Sequence, residues 1–517
     1  MCSALSLRKL RIRVAGVPVA SILAMVSAGA YAQESVSGGG AGRAVSIVPR
    51  VSFTETLTDN VRLTNAGQQS EQITAISPGI RINIEGARVK GYFDYALNQI
   101  FYAQGSSPSQ SQNALNTFGT LEAVDNWAFV DFSGSISQQA VSAFGTQSID
   151  NSSANANRAE VSSFRISPYV RGRLGDLVSY DVRYSQAVTR SDAAGTSGVT
   201  SVDGIANFRG DSAFRNLGWS ADVSQQRVDF YAGRPTEADR LNLGLSYSIT
   251  PQLRVSVNAG REANNYTSFD KQSFNTSGVG VRWSPSETTK LSASRDHRSF
   301  GDAHSLSFEH RTARTAWRFS DTKDVSATPN QAVVGSLGSI YDLLYSQFTS
   351  LEPNAAARAQ LVNAYLLANG ISPNAVVISS FLTSALSLQR RQDLSFALLG
   401  VRDTITFIAT RSKSTRLDTV SAGVDDFTTS EVVRQRGFSV NYAHRLTPDY
   451  SLGVLVSQQR ASGVSSLQDT TLRFLNLSLT GKVGNRATAS VGVRRVVSSG
   501  NSPYVENAIT GNLTVQF

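Results

Sequence analysis

Apolar and polar residues alternate along this chain with a period of two, in one segment after another. Leu241, Leu243, Leu245, Tyr247 and Ile249 alternate with Asn242, Gly244, Ser246 and Ser248. Val89, Gly91, Phe93, Tyr95 and Leu97 alternate with Lys90, Tyr92, Asp94, Ala96 and Asn98, and Leu475, Leu477 and Leu479 with Asn476, Ser478 and Thr480. Successive side chains of an extended strand point to opposite faces, so each segment predicts a strand with one apolar and one polar face. The last nine residues, 509–517, follow the same rule: Ile509, Leu513, Val515 and Phe517 share a face with Gly511, and Thr510, Asn512, Thr514 and Gln516 share the other. An aromatic carboxyl terminus on such a strand resembles the closing strand of a bacterial outer-membrane barrel. Phe517 is therefore expected to act in membrane insertion, and strand 509–517 to pair with the strand that begins near Val45.

The alternating segments, about 10 to 14 residues each, are joined by tight turns on one side and by longer Ser-, Asn- and Gly-rich loops on the other, as in outer-membrane barrels. Tight turns are expected near Glu85-Gly86-Ala87, Asp125-Asn126, Gly175-Asp176, Gly210-Asp211, Thr250-Pro251, Pro285-Ser286, Thr312-Ala313, Arg402-Asp403, Pro448-Asp449 and Gly484-Asn485. These are residues that supply positive or fixed φ. Longer loops are expected over 54–72, 140–160 and 190–200. Ten inner turns with both ends of the strand series on the same side imply an all-β, antiparallel transmembrane barrel of about 22 strands, within roughly 18 to 24. A soluble sandwich would alternate too, but about 20 strands without a domain boundary favours a closed barrel, which has no edges. Tyr102, Trp219, Trp283, Tyr442 and Phe517 are candidates for interfacial aromatic girdles.

One stretch breaks the pattern. Ile340, Leu344 and Phe348 fall at helical spacing, Pro353 suits a first helical turn before 354–368, Asn369-Gly370 supplies a stop, and a third helix is expected from Ser372-Pro373 through Phe381 and Leu388. Residues 330–392 thus predict a helical insertion on the outer side, acting as a lid or, by filling a wide lumen, as a plug.

Composition sharpens the picture. The 517 residues are 41% hydrophobic and 17% charged, too apolar for disorder and sparing in charge for a soluble surface. No run reaches the roughly 18 to 20 apolar residues of a spanning helix. Arg8, Lys9, Arg11 and Arg13, an apolar run from Val14 to Ala28 and Ala30-Tyr31-Ala32 read as a signal peptide over 1–32, followed by a linker over 33–44 and the barrel over 45–517. Cleavage would remove the one cysteine, Cys2, and with it disulfides and thiolate chemistry. It would also take the formal charge from +9 to +5 with the four basic residues of the signal. So short a lead before the first strand leaves no room for an N-terminal plug domain.

Charge collects on the polar face. By phase with their apolar neighbours, Arg165, Arg171, Arg173, Arg183, Arg254, Arg282, Arg298, Arg318, Arg445 and Arg494 are expected to line the pore, with Asp94, Asp131, Asp181, Asp222 and Asp296 as the chief acids. A basic constriction favours anions; alternatively these arginines pair with acids across strands and hydrate the lumen. Catalysis is not expected, and neither is a metal, cofactor or nucleic-acid partner. No H-E-x-x-H, G-x-S-x-G or phosphate-cradling motif occurs; Asp296 and His297 face opposite sides, and His304 and His310 show no evident partner.

Pro49-Arg50-Val51-Ser52-Phe53-Thr54-Glu55-Thr56-Leu57-Thr58-Asp59-Asn60-Val61 is similar to the start of the outer-membrane proteins associated with the PEP-CTERM/exosortase system. So are Phe381-Leu382 through Leu388-Gln389-Arg390-Arg391, Leu394-Ser395-Phe396-Ala397-Leu398 and Gly400-Val401-Arg402-Asp403-Thr404-Ile405-Thr406-Phe407. The resemblance spans nearly the whole chain after the signal and implies a link to exopolysaccharide synthesis and export in Gram-negative bacteria. It assigns no site residues. The expected function is an outer-membrane pore supporting exopolysaccharide export, with a basic lumen and a helical gate. The alternatives are a surface-anchoring barrel for extracellular matrix and a nutrient porin. Expected partners are outer-membrane lipid, the outer-membrane assembly machinery, anionic exopolysaccharide and periplasmic export components.

Overall fold

A computed structural model of the protein describes residues 45–517 except 194–197, 212–215, 232, 327–380, 384, 419–424 and 485. The signal, the linker and positions 330–380 of the expected insertion lie outside the described residues.

Twenty-two strands follow one another: β1 (Val45–Thr58), β2 (Glu71–Glu85), β3 (Val89–Tyr102), β4 (Gln110–Val124), β5 (Ala128–Ala140), β6 (Arg158–Leu174), β7 (Val178–Ser191), β8 (Val199–Asp211), β9 (Leu217–Phe230), β10 (Thr236–Thr250) and β11 (Leu253–Asn264) form the first half. The second half is β12 (Gln272–Ser286), β13 (Thr289–Arg298), β14 (Gly301–Arg311), β15 (Thr315–Ser326), β16 (Ser387–Leu399), β17 (Asp403–Arg416), β18 (Val432–Arg445), β19 (Tyr450–Ser462), β20 (Thr470–Lys482), β21 (Ala487–Gly500) and β22 (Tyr504–Gln516). Each strand pairs antiparallel with the next in one 22-stranded sheet. β22 returns to β1 in register from Arg50 opposite Gln516 to Thr58 opposite Ala508, and the Phe517 N–H donates to the Pro49 carbonyl at 2.9 Å. The closing strand therefore pairs as its alternation predicts, and the sheet has no free edge. Helix among the described residues is confined to α1 (Asp426–Thr429) and a 3-10 turn, Ser466–Gln468.

The expected tight turns fall between the strand pairs where they were placed, several shifted by a residue or two; Gly210 and Asp211 still belong to β8, and 212–215 and 485 lie outside the described residues. Pro285 and Ser286 still belong to β12, and Asp403 already opens β17. Asn126 (φ +55°) and Gly175 (φ +58°) occupy the left-handed region that such turns require.

Register carries one apolar face around the wall. Leu241 stands opposite Val223, and Leu475 opposite Val456. These side chains are exposed although apolar, with Leu243 at 55% and Val491 at 58%. An exposed apolar band around a closed barrel is a lipid-facing surface. The protein is an outer-membrane β-barrel, with its tight turns on the periplasmic side and its longer loops outside.

Several expectations need correction. Residues 387–392 are not helical: β16 pairs with β15 from Ser387 opposite Ser326 to Leu398 opposite Thr315. Leu394, Phe396 and Leu398 already alternate with Asp393, Ser395 and Ala397, and pairing on both sides satisfies a backbone that an isolated helix end would leave open. Phe381 makes an isolated parallel bridge to Ala140. The first loop is shorter than expected, because β1 runs to Thr58 and β2 begins at Glu71. Tyr102 is no girdle residue: it points inward, is 8% exposed and donates to the Ser152 carbonyl. Trp219, Trp283 and Tyr442 share the lipid-facing side, and Trp127 joins them, donating from Nε1 to the Tyr180 hydroxyl at 2.8 Å.

Candidate functional site: the lumenal wall and an inward-folded loop

The ten arginines read as pore-lining all fall on the side of their strands opposite the lipid band, but they divide in two. Four are engaged by acids. Arg183 pairs with Asp131 at 2.8 Å, Arg298 with Glu262 at 2.9 Å and Asp324 at 2.5 Å, Arg318 with Glu309 at 2.5 Å, and Arg494 with Glu506 at 2.7 Å and also with Asp150. The other six, Arg165, Arg171, Arg173, Arg254, Arg282 and Arg445, make no ion pair among the described residues. Five of those six lie in the periplasmic thirds of their strands, and Arg254 stands directly opposite Arg282. Arg254 Nε donates to Ser248 Oγ at 3.1 Å, and Arg173 Nη2 to the Asp176 carbonyl at 3.1 Å.

The acids expected on this face are there too. Asp94 accepts from Arg50 and from Arg81 (2.5 Å), Asp296 accepts from Asn258 Nδ2 at 2.9 Å, Asp181 stands opposite Arg171, and Asp222 opposite Asn242. An aromatic step accompanies the arginines on β5 and β6. Phe129 and Tyr169 stack at 5.1 Å, with Arg171 4.4 Å above the first ring and Arg183 3.9 Å above the second.

His297 lies on the lipid-facing side, 3.2 Å from Asp302, whereas Asp296 faces the lumen, so the two form no dyad. The other histidines do have partners. His304 Nε2 is 3.1 Å from Asp321 Oδ1 and His310 Nδ1 is 2.9 Å from Thr289 Oγ1. Both pairs sit on the wall's lipid-facing side, where cross-strand geometry brought together residues distant in sequence.

The feature that sequence reasoning missed is a loop packed on the inner wall. The β5–β6 loop, residues 141–157, folds onto the inner wall instead of standing out in solvent. Ala143 and Phe144 are buried with Phe381, Phe427, Val433 and Ala461, and Ile149 packs on Leu63, Leu472, Phe474 and Tyr504. Wall hydroxyls and amides satisfy its carbonyls: Tyr504 donates to Gln147 O (2.5 Å), Tyr102 to Ser152 O (2.8 Å) and Gln112 Nε2 to Asn151 O (2.9 Å). Those groups belong to β22, β3 and β4, so the loop leaves its own strands and lies against the wall on both sides of the β1–β22 seam.

Two carboxylates fasten it. Asp150 reaches Arg494, whose side chain is 11% exposed and also holds Glu506; Thr58 Oγ1 donates to Glu506 at 3.0 Å. Burial alone would push the Asp150 carboxyl up, but Arg494 and the Ser153 hydrogen bonds outweigh it, and the net pKa lies below the ordinary carboxylate value. At the other end Asp426 of α1 accepts from Ser142 Oγ and from the Ala143 N–H, each at 2.6 Å. No cation pairs with Asp426 among the described residues, so burial dominates and raises its pKa. The loop reads as ordinary Ser/Asn/Gly-rich solvated chain; only Phe144 and Ile149 hint at burial.

No family model matches the chain, and comparison with curated proteins finds no match. Solved structures with similar architecture include the FrpB iron transporter of Neisseria meningitidis, at 12% identity over 91% of this chain and 82% of that one, TM-score 0.46. The siderophore receptor PirA of Pseudomonas aeruginosa is similar at 8% identity over 91% and 80%, TM-score 0.43. OccK3 of Pseudomonas aeruginosa is similar at 9% identity over 91% and 95%, TM-score 0.28. These likenesses are too distant to carry a substrate or a direction of transport to this chain.

Proposed function

We propose that this barrel is a pore that passes an anionic polysaccharide outward across the outer membrane, with loop 141–157 as its inner gate. The observation that carries the reading is the segregation of lumenal arginines. Those without ion pairs cluster toward the periplasmic mouth, and Arg254 and Arg282 face each other there although like charges opposite one another cost stability. A low-dielectric wall focuses that field into the opening, which draws anions in from the periplasm. Guanidinium groups suit planar carboxylates, and the resemblance to PEP-CTERM-associated proteins supports an exopolysaccharide as cargo. A nutrient porin would use the same wall with the opposite direction of flow.

Reversal potentials across planar bilayers under a salt gradient test the pore. The wild type is expected to prefer anions, and Arg254→Gln with Arg282→Gln to shift selectivity toward cations. Equal permeability in both proteins overturns the basic-pore reading. The in-folded loop favours the rival reading, a matrix-anchoring barrel that conducts little. A barrel that stays closed after removal of residues 144–155 and 330–380 establishes that rival.

A further inference from the structure

The lipid-facing side carries a second accumulation of positive charge, which the lumen does not explain. On β16 to β18 the outward row Leu394, Ala409 and Phe438 is apolar and in register, and Gln458 continues it on β19. The next outward row holds Arg411, Arg436 and Arg460, directly opposite one another on β17, β18 and β19. The row beyond it holds Arg390, Lys413 and Arg434 on β16, β17 and β18. Strand spacing and rise make this a patch about 15 Å wide and 7 Å tall. It sits at the outer end of the apolar band, on the side of the longer loops.

Six cations in two adjoining rows are costly, since directly opposed like charges destabilise a sheet. Internal acids relieve only part of that cost. Arg390 pairs with Asp321 and Arg460 with Asp469, each at 2.7 Å, and Arg434 Nη1 donates to the Gly463 carbonyl at 3.2 Å. Arg411, Lys413 and Arg436 are exposed and make no ion pair among the described residues. No outward position in the outer halves of β16 to β21 carries an acid, and the basic run continues through Arg473 and Arg495.

We propose that this patch binds the phosphorylated headgroup of a glycolipid in the outer leaflet, with the acyl chains lying on Leu394, Ala409 and Phe438. Charge complementarity names the anion, and position names its source. A ligand at this height must be apolar just below the cations, which excludes a free soluble anion. A headgroup bearing two phosphates on a saccharide matches the two rows, because each phosphate oxygen set can accept from two or three guanidinium groups. The proposal is independent of what the lumen carries.

The test is native mass spectrometry of the full-length barrel in detergent, titrated with bisphosphorylated lipid A or with its phosphate-free counterpart. Each basic residue near an anionic surface is worth about a fivefold factor, so Arg411→Gln, Arg436→Gln and Arg460→Gln together should weaken binding of the phosphorylated lipid about a hundredfold. Arg190→Gln with Arg261→Gln, outward arginines on another part of the wall, should leave it unchanged. Unchanged affinity in the triple variant, or equal binding of the phosphate-free lipid, overturns the proposal. Should the triple variant fail to assemble, wild-type protein decides alone: binding of the phosphorylated lipid must fall with salt while that of the phosphate-free lipid holds, and salt-independent binding overturns it.

Discussion

Replacing Arg494 by glutamine removes the cation that holds loop 141–157 to the wall and leaves two carboxylates, Asp150 and Glu506, facing each other. The wild-type side chains of Arg494 and Asp150 are 11% and 22% exposed, so solvent screens the pair little. Breaking a buried pair by removing one partner costs about 3–5 kcal/mol, because the remaining charge stays desolvated. The least costly relief available to the variant is to release the loop, which lets Asp150 hydrate. That shifts the docked-to-released equilibrium by roughly a hundredfold to several thousandfold. The Tyr504, Tyr102 and Gln112 hydrogen bonds, each worth about 1 kcal/mol net, and the buried Phe144 still oppose release, so the variant raises the released population rather than freeing the loop outright. Single-channel recording should therefore show a conducting state that the wild type rarely visits, and limited proteolysis should cleave within 144–155. Asp150→Asn should act in the same direction but more weakly, because Arg494 keeps Glu506. Normal assembly of Arg494→Gln with unchanged conductance and unchanged cleavage would refute the latch.

Acid should act on the two ends of the loop in opposite senses. Asp426 is raised, so its ionised form is penalised near neutrality and docking strengthens as pH falls through that raised value. Asp150 is lowered, so its contribution is complete above the ordinary carboxylate value and is lost progressively as pH falls from there through its depressed value. Conductance should thus fall on mild acidification and rise only in strong acid, and Asp426→Asn should abolish the first phase; a monotonic rise on acidification contradicts this assignment. Phe144→Ala empties part of a buried cluster at a cost of about 3–5 kcal/mol, and increased protease access to the loop, with the barrel's thermal stability unchanged, checks it. Phe517→Ala should lower the amount of assembled barrel in membrane fractions, and wild-type levels would count against its role in insertion.

The barrel was legible because its physics is local. A wall with lipid on one side and water or polar side chains on the other imposes a period of two on every strand, and the turn residues must supply unusual φ. That is why Leu241 to Ile249 and Asn126 could be placed by inspection. The same parity put all ten arginines on the inner side of the wall. It could not tell Arg494, neutralised by an acid from a distant loop, from Arg282, which stands between Arg254 and Ser292. Parity already set Tyr102 on the inner face with Asp94 and Asn98, against its reading as a girdle residue, but it could not show that the hydroxyl holds Ser152.

By itself, then, the sequence determined the strands, their faces, their number and the closure of β22 on β1, since each follows from neighbours along the chain and from the solvent on either side. The tertiary structure alone decided what occupies the lumen and which charges stay uncompensated. The contacts of Asp150 with Arg494 and of Asp426 with Ser142, and the alignment of Arg411, Arg436 and Arg460, join residues from separate strands and loops. Such contacts depend on barrel register and on where a loop without periodicity folds, and no pattern within a single segment records either.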